Sequence, residues 1–338
     1  MVLLSAKRST RLGVLAGITC IGLAAAGCGS SGSSKPSSSS SGSKQTGTAS
    51  VAYAASLTYL NTKVAFPAVT TATGNQVSGR AGASGELSQD IISGLISPNV
   101  FESVGPDNIT PLEPKFTKWY VQYAGTSMVV AYNPKSTYAS QFKAIASGKQ
   151  PLKNLFTLME KPGFKLGRTD PNIDPQGRDF VEMLELAQMH YHLPSGTVTK
   201  ILGGSPTSAT SAQIFAESSL DATLQSGQLD AASAFVTQAI ELHLPYIKLP
   251  PQINLCCTQY AAQYHKASIT IKGVVKHGSP QVIDITAIGK PTAAGVAFIK
   301  YTLSPAGLAL YKQGGFSLLT PTATGSGVPA AVRSELGG

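Results

Sequence analysis

Leu166-Gly167-Arg168-Thr169-Asp170-Pro171-Asn172-Ile173-Asp174-Pro175-Gln176-Gly177 is the stretch on which the reading of this chain turns. Beyond it, Phe180, Met183, Leu184 and Ala187 recur at the i, i+3, i+4, i+7 spacing of an amphipathic helix. Asp174 then stands where that helix takes its N-cap, and Pro175 fits the first turn, where its missing N–H costs nothing. A turn that opens a helix in this way aims backbone N–H groups and the positive end of the helix dipole at whatever lies in front of it. An anion suits that position.

On either side of this turn, short runs of β-formers alternate with helical patterns. Val51–Ala55 and Tyr120–Tyr132 read as strands, while Val296, Phe298, Ile299 and Leu303 mark a further helix that pauses at Ser304-Pro305 and stops near Gly314-Gly315. Such alternation predicts an α/β protein. With 338 residues and 42% hydrophobic content the chain can bury the cores of about two domains. Only 13% of residues are charged, well under the usual share of about 25%, which suits an exported protein better than a cytosolic one. The net charge of +9 is spread along the chain, with no basic stripe interleaved with aromatics, so no nucleic-acid partner is expected. A small anionic ligand is compatible with this modest excess.

The N-terminus carries its own signal. Lys7, Arg8 and Arg11 precede an uncharged run from Leu12 to Gly27, the arrangement of a secretory signal and too short for a comfortable membrane span. Ala25-Ala26-Gly27-Cys28 follows, and it resembles the lipobox of bacterial lipoproteins, with Ala25 where Leu, Val or Ile is preferred. The expected organisation is a signal peptide over 1–27, then lipidated Cys28 and a Ser/Gly-rich tether over 28–50 that cannot bury anything. The globular part starts at Val51.

The search for catalysis is negative. His190, His192, His243, His265 and His277 sit in no metal-binding frame, and no nucleophile elbow, P-loop or dinucleotide fingerprint follows a strand. Cys256-Cys257 reads best as two small, partly buried apolar side chains, with a redox role as the alternative. No enzyme, no cofactor and no metal beyond a metal-centred ligand is expected.

Several stretches, taken in order, resemble the molybdate/tungstate-binding proteins of ABC importers, the archaeal-type branch in particular, within the type II solute-binding family. They are Ala54–Leu57, Asn99–Ser103, Lys118–Val121, the Arg168–Gly177 segment, Gly227–Ala231, Leu244–Pro250, Ile253–Leu255 and Leu303–Gly307. The resemblance implies two α/β lobes that close on an oxyanion. Lobe I would be discontinuous, over 51–131 and 285–338, with lobe II over 132–284. Two crossing segments would lie near Val130–Asn133 and Val282–Ile288.

The resemblance also implies a site. Ser56 and Ser103 match the lobe I serines that hydrogen-bond the anion, and Asp174, Gln176 and Gly177 form the opposing turn, with Asp170 and Arg178 as additional candidates. Archaeal-type relatives use an Asp in this stretch and a later Glu to expand the coordination of the metal centre. Ala234 aligns with that Glu, Ile283 aligns with a tyrosine beside the second crossing, and Arg178 stands where an aromatic is more usual. Plain four-coordinate binding of a tetrahedral oxyanion is therefore expected. The implied partners are molybdate, tungstate or a related oxyanion, an ABC permease, and the membrane through the lipid anchor, with the protein a monomer. The alternatives are a surface lipoprotein that keeps the fold with another ligand or none, and an exported redox protein using Cys256-Cys257.

Overall fold

The computed structural model of the protein describes residues 47–337, so Cys28, the expected signal segment and most of the tether lie outside the described residues. The strands are β1 (Thr48–Ala54), β2 (Gln76–Gly82), β3 (Val100–Val104), β4 (Trp119–Gly125), β5 (Met128–Tyr132), β6 (Leu166–Gly167), β7 (Ala231–Phe235), β8 (Tyr246–Lys248), β9 (Ser268–Ile271), β10 (Val274–His277), β11 (Val282–Ala287) and β12 (Ser317–Gly325). Those helices that bear on the site or the core are α1 (Ser84–Ser93), α2 (Pro175–His190), α3 (Glu217–Gln225), α4 (Val236–Glu241), α5 (Ala293–Leu303) and α6 (Pro305–Gln313).

Two mixed sheets organise the chain. One runs β12-β4-β11-β3-β1-β2 and the other β6-β7-β5-β8, with β9 and β10 as a separate hairpin. The first sheet draws strands from both ends of the globular part, so its lobe is discontinuous. β1 is parallel to β2 and β3, whereas β11 is antiparallel to β3 and β4. Side chains alternate across the strands. Val51 and Tyr53 face a core with Phe66 of a neighbouring helix and Phe298 of α5, while Ala52 and Phe101 face Leu87 and Ile91 of α1. Covered on both faces, β3 is buried at every residue. Burying a side chain such as Phe101 contributes about 1.5–3 kcal/mol.

Three boundaries differ from expectation. β1 begins at Thr48, within the segment assigned to the tether, because Thr48 and Ala49 already pair with Gln76 and Val77. Tyr120–Tyr132 is not one strand: β4 belongs to the first sheet and β5 to the second, so the chain changes sheets at Thr126-Ser127 and not at 130–133. The return runs through residues 249–281, and Val282–Ala287 is already a central strand of the first sheet. The two passages lie side by side, with Thr126 N donating to Gln281 O (3.1 Å), Met128 N to Asn254 O (2.8 Å) and Gln281 N to Leu255 O (2.7 Å). Within the return, Cys256 and Cys257 are joined as a disulfide, where two free apolar side chains were expected.

The helix reading near the C-terminus holds in detail. α5 ends at Leu303 and α6 starts at Pro305, with Ser304 capping α6 by accepting from Gly307 N. Among the described residues no single helix is long and apolar enough to cross a membrane.

Candidate anion-binding cleft

A cavity of about 370 Å³ lies between the two lobes. Its first-lobe wall is Ala55 just after β1, the end of β2 at Ala81 and Gly82, then Ala83 and Glu86 of the α1 entry. Asp170, Ile173, Asp174 and the Ile214–Ser218 segment form the other wall. A neighbouring pocket of about 330 Å³ shares Ala55, Glu217 and Ser218 and adds Ser56, Lys63, Asp221 and Gln238.

Three helices of eight residues or more begin at this cavity. α2 starts as its sequence demands: Asp174 has extended backbone and its Oδ1 accepts from Gln176 N at 2.9 Å, with Pro175 in the first turn. α1 and α3 start differently. Their N-caps are Ala83 and Ala216, which supply no side-chain cap, and both residues line the cavity. Gly85 N of α1 is taken by Ile173 O and Ser219 N of α3 by Ala216 O; an anion can partner the remaining first-turn N–H groups and interacts favourably with the dipoles. Ser84, at the α1 start, is buried off the cavity, its Oγ accepting from Val104 N at 3.2 Å.

The walls meet across the cleft. Gly85 N donates to Ile173 O at 3.0 Å, and a Cβ on Gly85 would lie 2.5 Å from that oxygen. Arg178 pairs with Asp107, in the turn after β3, at 2.6 Å, and Lys276 joins them at 3.4 Å from Asp107. Asp107 is accordingly held below the ordinary carboxylate range, the nearby Arg178 and Lys276 charges outweighing its burial.

Two acidic groups of the cavity, Asp174 and Glu217, are driven toward their neutral forms. Burial pushes Asp174 up to about 7, against the hydrogen bond from Gln176 N and the charge of Arg178. Burial, with the charges of Asp174 and Asp221, pushes Glu217 well above the ordinary range. Neutral carboxyls donate hydrogen bonds and do not repel a dianion.

Residues singled out from sequence divide into two sets. Ser56, Asp170 and Asp174 lie on the cavity or its neighbouring pocket. Gln176 stands behind them, its Nε2 donating to Glu217 Oε1 at 3.2 Å. Gly177 is a packing glycine, since a Cβ there would sit 2.3 Å from Thr169 O. Ser103 is not on the cavity: it is fully buried in β3, opposite Asp284 of β11, and its Oγ donates to Gly105 O at 3.2 Å. Ala234 is likewise off the cavity, on β7 opposite Val129, in an apolar cluster with Leu220 and Leu224. Ile283 is buried in β11, paired with Val104.

Glu217 also lines the cavity and was not singled out from sequence. It had a local signal: Leu220 and Leu224 follow it, an apolar pair at i, i+4 spacing that marks a helix opening. Glu217 thus places a second carboxyl on the cavity beside Asp174, at a position other than Ala234.

Two α/β lobes, a discontinuous first lobe and a cleft between them define the fold of the type II binding proteins. The chain belongs to the bacterial extracellular solute-binding protein family, whose model matches residues 49–317. This is a family of binding proteins and not of enzymes. A putative ABC transporter molybdenum-binding protein of Haloferax volcanii is 33% identical over 168 residues, 49% of this chain and half of that one. The molybdate/tungstate-binding protein WtpA of Pyrococcus abyssi is 28% identical over 242 residues, 65% of this chain and 68% of the relative. Among solved structures, the fold matches that of the periplasmic molybdate-binding protein of Azotobacter vinelandii, with a TM-score of 0.53 at 17% identity over 80% of this chain and 99% of that one.

Proposed function

We propose that the protein captures a tetrahedral oxyanion in the interlobe cleft and delivers it to an ABC permease, with molybdate or tungstate first in rank and sulfate-like anions second. The observation that carries this is the convergence of α1, α2 and α3 on one cavity, two of them capped by alanine. Ser56 supplies a hydroxyl from lobe I, and Asp174 and Glu217 supply carboxyls from lobe II. The kinship with archaeal molybdenum- and molybdate/tungstate-binding proteins supports the choice of anion. Thermal-shift screening tests the reading: an anion at about 100 times its dissociation constant stabilises a protein by about 2.7 kcal/mol. A melting temperature unmoved by molybdate, tungstate, sulfate and phosphate contradicts it.

We further propose that Cys28 is diacylated and anchors the protein as a monomer on the outer face of the membrane, the Ser/Gly tether giving it reach. Two acyl chains, at about 0.8 kcal/mol per buried CH₂, suffice for stable anchoring. Detergent phase partitioning of wild type against Cys28→Ser checks this, and equal recovery of both in the aqueous phase refutes it.

A further inference from the structure

We propose that Gln176 and Gln238 are positioning residues that clamp one oxygen of the Glu217 carboxyl and turn its other oxygen, as a hydrogen-bond donor, toward an oxyanion in the cleft. This rests on the oxyanion reading above and specifies how one wall of that site works.

The orientation of both amides is determined by what surrounds them. Gln176 Oε1 accepts from Ser233 Oγ at 2.9 Å, so its Nε2 faces Gln238 Oε1 (2.7 Å) and Glu217 Oε1 (3.2 Å). Gln238 Oε1 also accepts from Phe235 N at 3.0 Å, which leaves Gln238 Nε2 to donate to Glu217 Oε1 at 2.8 Å. All four side chains, those of Gln176, Ser233, Gln238 and Glu217, are buried, where a polar network holds its shape only if each member is satisfied. Glu217 Oε1 thus receives two N–H groups, whereas its Oε2 takes no hydrogen bond from the described residues. A carboxylic acid whose one oxygen is accepting carries its proton on the other.

The groups around Glu217 favour that acid form. Asp174 faces it from α2 and Asp221 from its own helix, Glu86 and Asp170 line the same cavity, and Lys63 lines the adjoining pocket from lobe I. Burial among these carboxyls holds the proton on Glu217, and a neutral acid donating through Oε2 meets a dianion without repulsion. Gln176 serves both carboxyls of the wall, since its backbone N–H also holds Asp174.

The test is calorimetric titration of wild type, Gln176→Met and Gln238→Met with molybdate and tungstate across mildly acidic to alkaline pH. Buffers of different ionisation enthalpy report protons taken up, and ligand-free melting curves report folding. Wild-type affinity is expected to fall as pH rises, with proton uptake on the alkaline side. Each variant is expected to bind about tenfold more weakly at neutral pH. Because N–H donors on Oε1 favour the ionised carboxylate, removing them raises the pH at which affinity falls. Gln176→Met keeps the Gln238 bond to Phe235 N, so it separates the clamp from the cap of α4. Binding that strengthens with pH or releases protons overturns the proposal, as does a pH profile that neither variant shifts while wild type binds. A wild type that binds neither anion overturns the oxyanion reading and the clamp together.

Discussion

Gly85→Ala separates folding from closure, because it acts on the two with opposite signs. Gly85 lies in the first turn of α1 and is not among the residues with left-handed φ, so alanine fits its backbone. Ala in a helix is favoured over Gly by about 0.5–1 kcal/mol, and the ligand-free protein is expected to melt at a slightly higher temperature. In the described arrangement, however, the new Cβ would stand 2.5 Å from Ile173 O, the acceptor of the Gly85 N–H. Loop 170–174 must retreat and the bond across the cleft is lost. A backbone hydrogen bond contributes about 0.5–1.5 kcal/mol net, and the retreat adds to that, so closure weakens by about 1–2 kcal/mol. Affinity should then drop roughly five- to thirtyfold, since each 1.4 kcal/mol is about tenfold. Calorimetry gives the affinity, and melting curves of the same samples give the stability. Unchanged affinity with a raised melting temperature refutes the reasoning, for it means that the contact between Gly85 and Ile173 is no part of the ligand-bound state.

The ligand-free protein should lose stability as pH rises through about 6–8. Asp221, Asp174, Glu182 and Glu241 are raised by burial to about 6, 7, 8 and 8, so the folded state holds protons that the unfolded state releases near ordinary carboxylate values. The stability these groups contribute is complete below that ordinary range and is lost as pH climbs through the folded values; a flat melting temperature across this window contradicts the account. In the core of the first lobe, Glu102 accepts from Tyr123, Tyr311 and Asn61. Glu102→Ala strands those donors and should cost about 3 kcal/mol or more by chemical denaturation, with Glu102→Gln costing less. Equal stability of Glu102→Ala and wild type would show that the polar cluster contributes nothing.

What was legible in the sequence was local. Asp174, Pro175 and the Phe180 pattern specify a helix start within a few residues, and Ser304-Pro305 specifies the break between α5 and α6, because caps and prolines act on their own turn. The passage between sheets was hidden inside Tyr120–Tyr132, where β4 and β5 are equally rich in β-formers and only partners far along the chain separate them. The candidate cleft was half legible for the same reason. Ser56 and Asp174 lie on it or on its neighbouring pocket, whereas Ser103 and Ala234, placed by order along the chain, do not, because a strand residue's face depends on its register. Glu217 reaches the cavity because α3 begins there, a fact of packing that no single stretch encodes. Cys256 and Cys257 offer no sequence signal that separates a free pair from a joined one.

Titration of the wild-type protein with tungstate, in parallel with Ser56→Ala, tests the central claim most directly, that a dianion sits where three helices begin. The account predicts saturable one-to-one binding by the wild type. Removing the Ser56 hydroxyl should cost about 1.5–3 kcal/mol, the range for a hydrogen bond to a charged group, or roughly ten- to a hundredfold in affinity. No heat with tungstate, molybdate or sulfate, or binding that the substitution does not weaken, would contradict it.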